Sequence, residues 1–194
     1  MNFGAAYFDQ LPIIDSLKNT GTGKNYGIEL TLEKFLDKGY YALLTTSLYE
    51  SKYRGYDRIE RNTAFNGNFI LNVLAGKEFR VGKSNFFSLN LKTTYAGSLR
   101  YLPFEIEQVS PGYFVQNYDW NNAYQNRRKD YFRLNGRFGY KLIREKFYLE
   151  VAIDFMNITN HKDIFMEHFN SATGVVEYSN QFPFLPIGVL RIQF

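Results

Sequence analysis

The sequence predicts an all-β protein, an antiparallel up-and-down segment of a transmembrane β-barrel with about seven long strands. Three observations carry this. First, strict alternation recurs along the chain: Phe132, Leu134, Phe138, Tyr140 and Leu142 fall on one face, against Arg133, Asn135, Arg137, Gly139 and Lys141 on the other. Successive side chains of a pleated strand point to opposite faces, so a period of two is a strand signal. Second, the best runs are about 11 residues long, twice the usual strand and enough to cross a bilayer at a tilt. Third, the connections between runs alternate between short and long, with short turns on one side and long loops on the other.

The elements follow in order. Residues 1–25, with Pro12, Gly21 and Gly23, read as an extracellular loop with a partial strand at Asn2–Phe8. Tyr26–Phe35 alternates Ile28, Leu30 and Leu32 with Glu29, Thr31 and Glu33, and Asp37-Lys38-Gly39 makes a tight turn. Tyr40–Tyr53 is a second strand with Tyr41, Leu43, Thr45, Ser47 and Tyr49 on one face; Leu44 and Leu48 make its alternation poorer. After a charged loop at Arg54–Thr63, Ala64–Phe79 and Phe86–Tyr95 form the third and fourth strands, joined by a turn at Val81–Asn85. Ala96–Lys129 reads as a long irregular loop. The hairpin at Tyr131–Asn157 follows, turning at Ile143–Lys146, with Phe147, Leu149, Val151, Ile153 and Phe155 on the apolar face of its second strand. Ile158–Pro183 is another long loop, and Leu185–Phe194 closes the chain. Residues 26–194 therefore read as barrel strands with three short periplasmic turns and three long extracellular loops.

Composition narrows the class. Aromatic residues make up 19%, yet no apolar run reaches the roughly 18 residues of a membrane-spanning helix. That combination suits strands with only half their residues apolar, whose signal per segment is weak. Cysteine is absent, which rules out disulfides, thiolate metal sites and thiol catalysis. The net charge of +4 is mild, and Arg127-Arg128-Lys129 is the densest basic cluster, so no nucleic-acid partner is indicated. The opening MNFGAAYFDQLPIID has no basic region followed by an apolar core, unlike a secretory signal, and the chain reads as the C-terminal third of a larger barrel.

Alternation alone does not decide which way the apolar face points. Strand length, loop asymmetry and aromatic residues near strand ends (Tyr26, Tyr40, Phe79, Tyr95, Phe132, Phe155) favour lipid. An arginine such as Arg133 or Arg137 at the bilayer midplane would cost about 2–4 kcal/mol, whereas it sits at little cost in a wet lumen. The expected lumen wall is Arg133, Asn135, Arg137 and Lys141 with Glu150 and Asp154 of the next strand. Tyr101, Tyr113, Tyr118, Trp120 and Tyr124 are the ligand-contact candidates, because Tyr and Trp stack on sugars or catechols and tolerate wet surfaces. His161 and His168 match no standard metal-ligand spacing, so no metal is expected. Asn157-Ile158-Thr159 reads as strand-end polarity, and no nucleophile elbow, phosphate-binding loop or HExxH motif points to an enzyme or a cofactor.

NYGIELTLEK (Asn25–Lys34), SLYESKYRG (Ser47–Gly55), NTAFNGNFILNVLAGKEF (Asn62–Phe79), DYFRLNGRFGYK (Asp130–Lys141), DFMNITNHKDIF (Asp154–Phe165) and LRIQF (Leu190–Phe194) together give the chain a likeness. In their order and spacing it resembles the C-terminal barrel of TonB-dependent outer-membrane receptors of the Bacteroidetes type. The resemblance implies about seven strands of a plugged barrel of about 22 strands, located in the bacterial outer membrane and importing a bulky nutrient such as a siderophore or glycan. It further implies lipid as surroundings, a plug domain and TonB complex acting through residues upstream, and Phe194 as an insertion signal for the barrel-assembly machinery. The alternative is a small structural or adhesive outer-membrane barrel without active transport.

Overall fold

A computed structural model describes residues 20–194, and within them every regular element is a β-strand. The first six are β1 (Thr22–Asp37), β2 (Tyr40–Arg54), β3 (Glu60–Asn62), β4 (Phe69–Val81), β5 (Asn85–Ala96) and β6 (Phe104–Ser110). They are followed by β7 (Tyr113–Tyr118), β8 (Tyr131–Ile143), β9 (Tyr148–Met156), β10 (Ile164–Asn170), β11 (Val175–Asn180) and β12 (Leu185–Gln193). The seven long strands form one antiparallel meander in the order β1-β2-β4-β5-β8-β9-β12. The sheet is open, with β1 and β12 at its edges. Three short turns lie at one end of the sheet and three long connections at the other.

The short turns follow from local chemistry. Asp37 pairs with Tyr40, and between them Lys38 (φ 51°) and Gly39 (φ 82°) supply two positive φ values, as a two-residue hairpin requires. At the second turn Gly82 (φ 74°) does the same work, and Arg80 donates to the carbonyls of Gly82 and Lys83.

The long connections differ from the expectation of plain loops. Within 54–63, β3 pairs with the end of β2. Within 96–129, β6 and β7 form a hairpin around Pro111-Gly112, and within 158–183, β10 and β11 form another. Strand boundaries also move. Residues 22–25 extend β1 rather than belonging to the first loop, because Thr22 to Asn25 pair in register with Ser51 to Arg54. The third long strand starts at Phe69 and not at Ala64. Asn66 intervenes: its Oδ1 accepts from the Ser51 N–H (3.0 Å), and its Nδ2 donates to Glu50 (3.1 Å) and Asn62 (2.8 Å). Those bonds hold the chain against the end of β2 in place of ladder pairing, and it curls there with Asn68 at φ 73°. The short extended piece expected at 2–8 lies outside the described residues.

Register sorts the two faces cleanly. On the apolar face Ile28 lies opposite Leu48, Leu44 opposite Val73, Leu89 opposite Phe138, Phe138 opposite Ile153, and Val151 opposite Leu190. Leu44 and Leu48, which blurred the alternation of β2, belong to this face, while Tyr41, Thr45 and Ser47 lie on the polar one. Two aromatic rows border the aliphatic band. Phe79, Phe87 and Tyr140 are register neighbours near the turns, and Phe69, Tyr95 and Phe132 lie near the loops, with the Phe69 and Tyr95 rings 5.1 Å apart. Phe87 and Tyr95 on β5 mark the rows, separated by about 26 Å of strand.

Burial falls on the polar face more than on the apolar one. The apolar face is uncovered: Ile28 is 77% exposed and Leu190 67%. Among the described residues the buried side chains are mostly polar, namely Arg61, Asn66, Ser88, Glu150, Asn157 and Asp163.

Candidate functional site

The polar face carries a continuous network of side chains over a floor of small residues. Ser88, Gly139 and Ala152 lie side by side on β5, β8 and β9, and a Cβ on Gly139 would meet the Ser88 Oγ at 2.8 Å. Beside this low row the long side chains extend across the sheet. Arg137 reaches Glu150 at 2.9 Å and Asp154 at 3.3 Å. Glu150, only 5% exposed, also accepts from the Tyr148 hydroxyl (2.9 Å) and lies 3.4 Å from Arg191. Lys141 stands opposite Glu150 in register but extends across β5 to Glu78, at 2.6 Å.

Towards β1 the network becomes neutral. Tyr41 lies flat over Gly76, where a Cβ would come within 2.3 Å of its ring, and donates to Asn90. Asn72 bridges Thr45 and Thr94 by donating to the first (3.4 Å) and accepting from the second (2.8 Å). Tyr41, Asn90, Lys92, Asn135, Arg137 and Asp154 surround an open hollow of about 340 Å³. Four of the six residues expected along this wall, Arg137, Lys141, Glu150 and Asp154, thus belong to the charged network. Asn135 instead accepts from the Asn157 N–H (2.9 Å), and Arg133 donates to Gln181 (2.9 Å), so both tie the sheet to the last long connection. Tyr41, Asn90 and Lys92 join the site unexpectedly. Their signal was the same alternation, read on strands whose polar residues are mostly uncharged.

At the loop end the expected aromatic group divides. Tyr118 sits between Phe104 (5.8 Å between ring centres) and Trp120 (6.2 Å), with Tyr118 and Trp120 both on the surface. Asp119 holds this corner: its carboxylate accepts from the Asn121 and Asn122 N–H groups and from the Asn122 side chain at 2.6 Å. The bonds from Asn122 keep the Asp119 carboxyl below its ordinary pKa. Tyr113 is exposed at the tip of the β6–β7 hairpin. Tyr101 is half-buried beneath Arg128. Tyr124 departs from the expectation of ligand contact: it is 3% exposed, packs edge-on against Tyr53, and its carbonyl accepts from Asn62 and Arg100. It pins the loop to the sheet.

The long connections are also tied to one another. The Phe114 N–H donates to the Ser171 carbonyl (2.7 Å), joining the two protruding hairpins, and Arg128 pairs with Glu167. At the foot of the last connection Asn157, 1% exposed, donates to the carbonyls of His161 and Phe182 and accepts from the His161 N–H. The Asp163 carboxyl is buried beside His161 (3.5 Å), with its Oδ2 unpartnered; burial pushes its pKa up, against the opposing pull of His161.

Phe194 lies just past β12 and is fully exposed at the turn end of the apolar face. No protein-family model, curated protein or solved structure matches the chain.

Proposed function

We propose that this sheet is part of the wall of an outer-membrane β-barrel, and that the chain serves a TonB-dependent receptor importing a bulky nutrient such as a siderophore or glycan. The observation that carries the membrane reading is the uncovered aliphatic band between two aromatic rows, backed by a charged network on the opposite face. Each large apolar side chain left in water forgoes about 1.5–3 kcal/mol of burial, so a face of this size demands an apolar cover. Lipid supplies one, and the aromatic rows then lie at its two interfaces. The polar face becomes the lumen wall, where Arg137, Glu150, Asp154 and Lys141 remain solvated or contact a plug. The edges of β1 and β12 must be paired by further strands, because an unpaired backbone group in lipid costs several kcal/mol.

Under this reading the long connections face outward, and the Phe104–Tyr118–Trp120 corner offers π-faces to a sugar or catechol ligand. The receptor assignment rests on the motifs that resemble that family; uptake would proceed by capture at the loops and energy-driven displacement of a plug. Expressed by itself, the chain should stay insoluble until detergent is added and then show strand-rich circular dichroism. A soluble monomer that melts cooperatively without detergent would overturn the membrane reading. Deleting the gene should abolish energy-dependent accumulation of one compound from a panel of ferric siderophores and oligosaccharides. Unchanged uptake of every compound would remove the transport role and leave the barrel.

A further inference from the structure

Charge is distributed unequally between the two ends of the sheet. At the loop end most cations are matched: Lys24 and Arg54 both meet Glu60, Lys52 meets Glu50, Arg61 meets Asp57, Arg127 meets Asp130 and Arg128 meets Glu167, while Arg58, Arg100, Lys129 and Lys162 have no ion-pair partner among the described residues. At the turn end Lys38, Lys77, Arg80, Lys83, Arg144 and Lys146 have no ion-pair partner among the described residues. Two carboxylates lie among them, Asp37, which pairs with Lys34 (3.8 Å), and Glu145; Glu78 is on the polar face bound to Lys141. So many like charges within three turns repel one another unless an anion is shared between them.

We propose that this rim binds the anionic headgroups of phospholipids in the leaflet on the turn side. The inference rests on the membrane reading above and adds a lipid preference to it. Lys77 fixes the direction. It lies opposite Tyr40 on the apolar face, its ammonium 4.3 Å from the Tyr40 ring centre and 4.6 Å from that of Phe79. A cation within the outward aromatic row is aimed sideways, at the depth where headgroups begin, and not along the axis towards a soluble partner. Above it, Arg80 is oriented over its turn by the Gly82 and Lys83 carbonyls, and Arg144 by Asn85 and its own neighbour's carbonyl. The guanidinium groups are thereby pre-positioned, while Lys38, Lys83 and Lys146 extend freely around them. Phosphodiester headgroups, each a single negative charge at this level, are the anions that match a dispersed ring of this kind.

The test compares the closed barrel that contains this sheet, folded into phosphatidylcholine vesicles, with the same barrel in vesicles containing phosphatidylglycerol, using flotation at several salt concentrations. Partition should improve at least about tenfold with the anionic lipid, and the gain should shrink as salt rises. Substituting Lys38, Lys77, Lys83 and Lys146 with Gln should remove most of the gain, whereas K24Q with K52Q should leave it. Equal partition into both vesicles overturns the lipid preference and leaves the membrane reading standing. Failure to enter either vesicle overturns both. A quadruple variant that keeps the lipid preference but no longer binds poly-glutamate would assign the rim to an acidic protein and overturn the proposal.

Discussion

At the scale of single residues, two buried carboxylates have opposite surroundings. Glu150 accepts from Tyr148 and Arg137 with Arg191 close by, so its negative charge is matched. Removing it leaves Arg191 without its carboxylate and Arg137 with Asp154 alone, and Glu150→Ala should cost about 1.5–3 kcal/mol in denaturant unfolding of the detergent-folded chain. A double-mutant cycle with Arg137→Ala should show positive coupling between the two. Asp163 is the converse. Burial raises its pKa and its Oδ2 has no partner, so the folded state holds the proton to higher pH than the unfolded chain does. Its contribution to stability therefore falls as pH rises from the ordinary value of 3.8 through the raised one. Asp163→Asn keeps an oxygen to accept hydrogen bonds and carries no charge. The variant should be more stable than the parent at neutral pH, with the difference fading in acid, as read by thermal unfolding across that window. Glu150 was legible as a polar-face partner of the arginines on the next strand, whereas the role of Asp163 was not. Asn66, Asn157 and Asp163 act on partners brought near by folding, and their neighbours in the chain look like those of any loop residue.

At the scale of strands, the two faces make a sharp prediction. Ile153 and Ala152 are adjacent on β9 and point in opposite directions, one to the aliphatic band and one to the Ser88–Gly139 floor. In bilayers Ile153→Arg should destabilise by about 2–4 kcal/mol. Denaturant unfolding of the vesicle-folded protein reads the change, and a loss below about 0.5 kcal/mol would place Ile153 away from lipid. The seven long strands were readable because each keeps one face apolar over many residues. The β6–β7 and β10–β11 hairpins were not. Ile106 stands between Glu105 and Glu107, but Gln108 and Val109 break the alternation and both faces of that hairpin are largely exposed, so the contrast is weak; Pro111-Gly112, inside the stretch expected to be irregular, is a hairpin turn with Gly112 at φ 72°. The face of β2 was ambiguous for a related reason, since Tyr41 and Leu43 on its polar side look apolar when read alone.

At the scale of the whole molecule, the sheet and its protrusions are nearly separate constructions. The β6–β7 hairpin is closed at its neck by the Asp119 N–H to the Pro103 carbonyl, and joins the rest through Phe114 to Ser171 and through the loop pinned by Tyr124. Excising residues 104–118 with a short linker should leave the strand-rich circular dichroism and detergent-folded melting of the seven-stranded sheet close to the parent's. Loss of all cooperative unfolding would show that the hairpin belongs to the core. The meander could be read from the chain because its order follows the sequence strand by strand. The loop-end architecture could not, because it depends on contacts such as Arg128 with Glu167 across two different connections. That separation has an evolutionary corollary. Register in the sheet is fixed by pairs such as Ala96 with Tyr131 and Met156 with Leu185, which stand directly at the feet of the two protruding hairpins. Insertions, deletions or wholesale exchange beyond those feet leave every ladder pair in the seven-stranded sheet unchanged. Lineages of this chain should therefore diverge in length beyond these positions while staying gap-free between them.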